Sequence, residues 1–166
     1  HWTGTYTDQD IGVEEIHQWH QAQGWSGIGY HYVIRRDGSI ERGRPINYVG
    51  AHAKTNGHNE NSIGVSFVGG YTTPSTGVTG GGASTGPESF TAAQHTSFKM
   101  FMKTFYDVFP GGQAFGHMDT DPLNKIDPGF SVSDYVLTNF NKRNVTEPTA
   151  SPLTVAQLQA YTESTA

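Results

Sequence analysis

Between Thr91 and Phe109 the chain carries an apolar stripe at helical spacing: Phe98, Phe101, Met102, Phe105, Val108 and Phe109. A helix with such a face must bury it against another layer. Thr91, followed by Gln94, makes a capping-box start, and Pro110-Gly111-Gly112 makes a stop. The covering layer is expected to be a sheet. Tyr30 to Ile34 is aromatic and β-branched, Asp37-Gly38 supplies a tight turn, and Ile40 opens a polar alternation, which together read as a β-hairpin. A further strand is expected over Ser62 to Val68, with Ile63, Val65 and Phe67 on one face and Gly69-Gly70 at its end.

An earlier helix is expected from Gly12 to Gly24. Asp10 is its expected N-cap, Glu14 and Glu15 suit its first turn, and Val13, Ile16, Trp19 and His20 form its apolar face. Ala114 to His117 reads as a short strand delivering His117 at its end, and Val132 to Phe140 as a last helix. The order helix, hairpin, strand, helix, strand predicts an α/β fold, a central mixed β-sheet flanked by helices in a single domain.

The chain has 166 residues and no cysteine. A domain of that size buries roughly 70% of its unfolded surface and folds without staples. Without thiolates, any bound metal must rely on histidine, carboxylate or water. A net charge of −5 argues against a nucleic-acid binder. No apolar run approaches the ~18 residues of a membrane span, and no signal-peptide pattern is visible. The sequence opens on His1 without methionine, which reads as a processed chain or a part of a larger polypeptide or virion assembly. Thr72 to Ser89, dense in Gly, Ser and Thr, is expected to be a mobile surface loop. From Asn141 onward the composition turns to Thr, Ser, Pro and Glu, with one helical patch at Val155 to Tyr161. The expected organisation is a domain over 1–140 and a linker or docking tail over 141–166.

Chemistry concentrates in GHMDTDPLNKIDPGF, Gly116 to Phe130. His117 and Asp127 are metal-ligand types bracketing Lys125, and the rigid Pro128-Gly129 turn follows Asp127. With the distant His1 they could supply three zinc ligands and leave a fourth position open for water, the pattern of catalytic rather than structural zinc. On spacing alone, a His and an Asp in a polar loop such as His117 and Asp127 are more often surface groups than metal ligands. His17 and His20 lie three apart on the first helix, where packing suits His20 and solvent His17; His31 reads as structural, and His58 and His95 as surface groups.

The stretches HWTGT, IGVEEIHQWHQAQGWSGIGYHYVIRRDGSIERGR, VGAHA, HNENSIGVSFVGG, FTAAQ and GHMDTDPLNKIDPGF occur in this order. Together they resemble the zinc-dependent N-acetylmuramoyl-L-alanine amidases of the peptidoglycan-recognition-protein superfamily, and in particular the amidase-type lysozymes of short-tailed phages. The resemblance runs from His1 to about Phe140. It implies one catalytic Zn²⁺ held by His1, His117 and Asp127. The phage lysozymes usually have cysteine where this chain has Asp127; aspartate there resembles the active cell-wall-recycling amidases of bacteria. Tyr30 matches the tyrosine of the catalytic centre, expected to orient water and pass a proton to the leaving amine. Lys125 matches a lysine expected to stabilise the developing oxyanion. His52, in Gly50-Ala51-His52-Ala53, falls where the family has a groove-lining histidine and is assigned to substrate contact.

The implied function is zinc-dependent hydrolysis of the amide joining N-acetylmuramic acid to L-alanine in peptidoglycan, with action on the bacterial cell wall, periplasmic or phage-associated. Two other readings are a peptidoglycan-binding module that does not cut, and a regulatory partner of a phage RNA polymerase. The first predicts absent zinc or a crippled Tyr30/Lys125 pair, and this chain keeps every candidate.

Overall fold

The structure, a computed structural model, describes residues 1–75 and 86–144. Most of the loop expected over 72–89 (76–85) and most of the tail expected over 141–166 (145–166), including its helical patch, lie outside the described residues. The described α-helices and strands are α1 (Val13–Ala22), β1 (Tyr32–Ile34), β2 (Ile40–Arg42), β3 (Val65–Phe67), α2 (Ala92–Val108), α3 (His117–Thr120) and α4 (Val132–Phe140), with short 3-10 helices at Thr55–Asn61 and Pro87–Ser89. None of these helices is long and apolar enough to cross a membrane.

The sheet has the order β2-β1-β3. β1 pairs antiparallel with β2 through the expected hairpin and parallel with β3, so the sheet is mixed. Residues 1–5 extend it: Trp2 bridges Phe67 and Thr5 bridges Gly70, both in parallel sense. The ladder includes Phe67 N–H to His1 O at 3.0 Å and Thr3 N–H to Phe67 O at 2.9 Å. His1 is therefore carried on a hydrogen-bonded sheet edge, and its α-nitrogen donates to Val65 O at 2.9 Å.

Alternation along β1 sends its side chains to two faces. Tyr32 and Ile34 join Phe67, Phe98, Phe101 and Met102 in the larger core, beneath α2 and α4. Val33 faces the opposite layer with Ile16, Ile28 and Val68, beneath α1. Helices thus cover both faces of the sheet. Burying each large apolar side chain contributes about 1.5–3 kcal/mol. α2 begins as its capping box requires: Gln94 N–H donates to Thr91 Oγ1 at 3.1 Å, and Thr91 N–H to Gln94 Oε1 at 3.0 Å.

Four expectations fail for identifiable reasons. Asp10 does not cap α1. It is taken by Arg35 and by the Arg36 N–H, while the Glu41 and Glu15 carboxylates accept from Val13 and Gly12 at the helix start. Trp19 is 45% exposed, so the apolar face of α1 narrows to Ile16 as its one fully buried member. His58, expected at the surface, is buried. Ala114 to His117 is not a strand: Asn144 ties Ala114 through both of its backbone groups, and His117 opens α3 instead.

Candidate active site

Three chain segments converge at one end of the sheet. The edge segment supplies His1, the start of α3 supplies His117, and the turn after α3 supplies Asp127. Met118 N–H donates to Asp127 O at 2.9 Å, which ties the turn to the helix carrying its neighbour. His1 Nδ1 lies 2.9 Å from Asp127 Oδ2 and His117 Nδ1 3.3 Å from Asp127 Oδ1. One donor atom from each of the three residues falls within 4.8 Å of the others. The rings of His1 and His117 meet edge to face at 4.6 Å.

The donor chemistry tests whether a metal fits. Burial works to raise the Asp127 carboxyl, but contact with His117 and the nearby N-terminal ammonium outweigh it and hold it below the usual carboxylate range. The group is therefore an anion at neutral pH. Its oxygens face two imidazole nitrogens at contact distance, an arrangement that either a ring proton or a bound cation bridges. Two nitrogens and a carboxylate oxygen form a normal zinc donor set, and three protein ligands leave a coordination position open. The residues fit the ion.

Tyr30 stands beside this cluster, its ring centroid 5.1 Å from that of His1 and 5.5 Å from that of His20. Burial first, and the Asp127 charge second, push its phenol up to about 12, against an opposing contribution from the Ser66 hydroxyl. Tyr30 thus keeps its proton across the physiological range. Lys125 is exposed on the loop that carries Asp127. It stands two residues before Asp127 in the sequence.

His52 is buried, with its ring against His1. His52 Nδ1 is 3.0 Å from His1 Nε2, and His52 Nε2 is 3.4 Å from Ser62 Oγ. Burial first, then the positive neighbours around it, push the ring down to about 3, so it is neutral. It also forms part of the wall of a cavity of about 470 Å³ lined by His1, His117, Phe98 and Phe105 among others. His31 packs behind it, accepting from Gly64 N–H at 2.9 Å and bonding Tyr48 O at 3.0 Å, which agrees with the structural reading of that histidine. His17 and His20 hold no metal partner; each accepts a backbone N–H, from Ile28 and Gly29, and so fastens α1 to the loop before β1. Sequence reasoning missed Ser62 and Asn59 altogether. The glycines at 50 and 64, within the motifs that contain His52 and Ser62, were the visible sign of close packing there.

Comparison with known proteins follows this geometry. The N-acetylmuramoyl-L-alanine amidase family matches residues 1–130. The endolysin of Enterobacteria phage K11 is 37% identical over 139 residues, covering 83% of each chain. The endolysin of Escherichia phage T7 is 39% identical over 132 residues, covering 80% of this chain and 79% of its own. Among solved structures, the endolysin N-acetylmuramoyl-L-alanine amidase LysCS of Clostridium intestinale superposes with a TM-score of 0.65 at 28% identity, over 86% of this chain and 81% of that one.

Proposed function

This chain belongs to the N-acetylmuramoyl-L-alanine amidase family and hydrolyses the amide bond of peptidoglycan in the manner of an endolysin; from that premise we propose that the reaction runs at His1, His117 and Asp127 around one zinc ion. The observation that carries this reading is the pair of lone-pair donors, His1 Nδ1 and Asp127 Oδ2, held 2.9 Å apart with His117 beside them. His1, His117 and Asp127 would hold the ion, which would supply a water that is nucleophilic near neutral pH and a positive charge to polarise the substrate carbonyl.

The chain's own groups do the rest. Tyr30 remains protonated, so it serves as a hydrogen-bond donor at the scissile amide and as the source of a proton for the departing alanine nitrogen. It is not the base in the resting enzyme. Lys125, on its long exposed stem beside Asp127, brings an ammonium to the carbonyl oxygen once substrate fills the site. The buried flanks of His1 and His117 keep the donors fixed while substrate exchanges. The place of action is the bacterial cell wall, reached from the periplasm or from a phage particle.

The test is muropeptide cleavage by the protein as purified, after chelation and after zinc is restored, read by mass spectrometry. Release of intact stem peptide that stops on chelation and returns with zinc is the expected outcome. Cleavage that persists through complete zinc removal sinks the metal assignment; binding without cleavage when zinc is present favours a non-cutting module.

A further inference from the structure

We propose that Ser62 and His52 form a hydrogen-bond relay that sets the tautomer and the angle of the His1 ring, presenting His1 Nδ1 to the metal; this rests on the zinc reading above. The relay makes His52 a positioning residue for the metal ligand rather than a contact to substrate.

The direction of each bond can be followed from its fixed end. Ser62 Oγ lies 2.5 Å from His58 O, and a carbonyl oxygen only accepts, so the hydroxyl proton points to His58. That leaves a lone pair of Ser62 Oγ facing His52 Nε2, which must therefore carry the ring proton. No carboxylate among the described residues forms an ion pair with His52, and burial disfavours a charged ring. A singly protonated His52 offers a lone pair at Nδ1. The group facing it, His1 Nε2 at 3.0 Å, is then the donor. With its proton on Nε2, His1 directs the lone pair of Nδ1 toward Asp127 Oδ2. Each bond determines the next, from a backbone carbonyl to the metal position.

The packing around His52 holds the relay in place. A Cβ on Gly50 would fall 2.4 Å from His52 Cδ2, and one on Gly64 would fall 2.5 Å from the same atom. The ring is therefore seated in a slot between two glycines that no larger residue leaves open. Its backbone is pinned as well: Asn59 Oδ1 accepts from both His52 N–H and Ala53 N–H at 2.8 Å. A histidine that only needed to reach substrate would not require two occupied ring nitrogens, a glycine slot and a pinned backbone. A metal-bound histidine, in contrast, commonly donates its second ring nitrogen to an outer partner that fixes its orientation.

The experiment combines zinc affinity, by competition with a chromophoric chelator, with nitrogen-15 NMR of the histidine rings in the zinc-loaded protein. In the unaltered chain, His52 and His1 should both show protonated Nε2, with His1 Nδ1 bound to zinc. His52→Ala should weaken zinc about 10- to 100-fold. Ser62→Ala should weaken it in the same direction by less and release the His52 tautomer, while Ser62→Thr, which keeps the hydroxyl, restores both. His52→Asn, which keeps an acceptor near the place of Nδ1, should retain more affinity than His52→Ala. Folding of each variant is checked by its thermal midpoint, and the tautomer signature does not follow from a general loss of packing. If the unaltered chain binds zinc but His52 carries its proton on Nδ1, or Ser62→Ala leaves both affinity and tautomer unchanged, the relay is wrong. Failure of the unaltered chain to bind zinc would instead overturn the metal reading beneath it.

Discussion

Tyr30 shows how one environment assigns a role. Burial and the Asp127 charge both favour the neutral form of its phenol, so in the proposed reaction the side chain would act as a donor. Its ring also packs against His1 and His20. Tyr30→Phe keeps that packing and removes only the hydroxyl. We expect turnover of muropeptides to fall about 10²–10⁴-fold, with zinc affinity unchanged when both are measured on one preparation. Unchanged turnover would remove Tyr30 from the chemistry. Residue type and motif singled out His1, His117, Asp127 and Tyr30 as candidates in the sequence, and the structure brings these four side chains to one place. The ring environment of His52 was not legible. It depends on which atoms its two nitrogens meet, and those partners, His1 and Ser62, come from segments that only folding brings together.

The join between α2 and the sheet depends on one buried amide. Gln94 is fully buried, and its Nε2 donates to Ile34 O at 3.0 Å and to Val68 O at 2.8 Å while its Oε1 accepts from Thr91 N–H. The capping-box residue thus also clamps the helix to the ends of β1 and β3. Gln94→Ala should cost about 2 kcal/mol or more, since it strands buried backbone groups as well as losing the bonds; urea denaturation measures it, and a loss no larger than that of an ordinary exposed cap would refute the clamp. α2 itself was readable from its stripe and its cap because both signals are local. Asp10 as the cap of α1 was not, because Arg35, far along the chain, competes for the same carboxylate. The expected strand before His117 failed similarly: short apolar runs do not reveal whether a partner strand exists, and here Asn144 occupies the backbone that a partner would have used.

Across the whole molecule, neutral histidines serve as glue. His20 accepts Gly29 N–H and His31 accepts Gly64 N–H, each through Nδ1, and a proton on that nitrogen ends the bond. Burial foremost lowers both rings below the ordinary histidine value, with Arg44 acting in the same direction. With folded values below the unfolded value of about 6.5, the unfolded chain binds more protons on acidification. The stability they contribute is fully present above that value and is lost as pH falls through the folded values. The urea midpoint should therefore decline from neutral pH toward about pH 5, and a flat midpoint over that interval would contradict the account.

His1 and Asp127 stand 126 positions apart in the chain and 2.9 Å apart in space. An ion seated between them closes almost the entire described polypeptide into a ring. In the chain-entropy picture, a covalent tie across ~100 residues removes about 4.7 kcal/mol of freedom from the unfolded state. A chain with no cysteine has no such covalent tie of its own. A zinc ion held as proposed would, besides serving the chemistry, act as the clasp, and a molecule stripped of it would be an open thread held shut by packing and by the hydrogen bonds of the sheet edge alone.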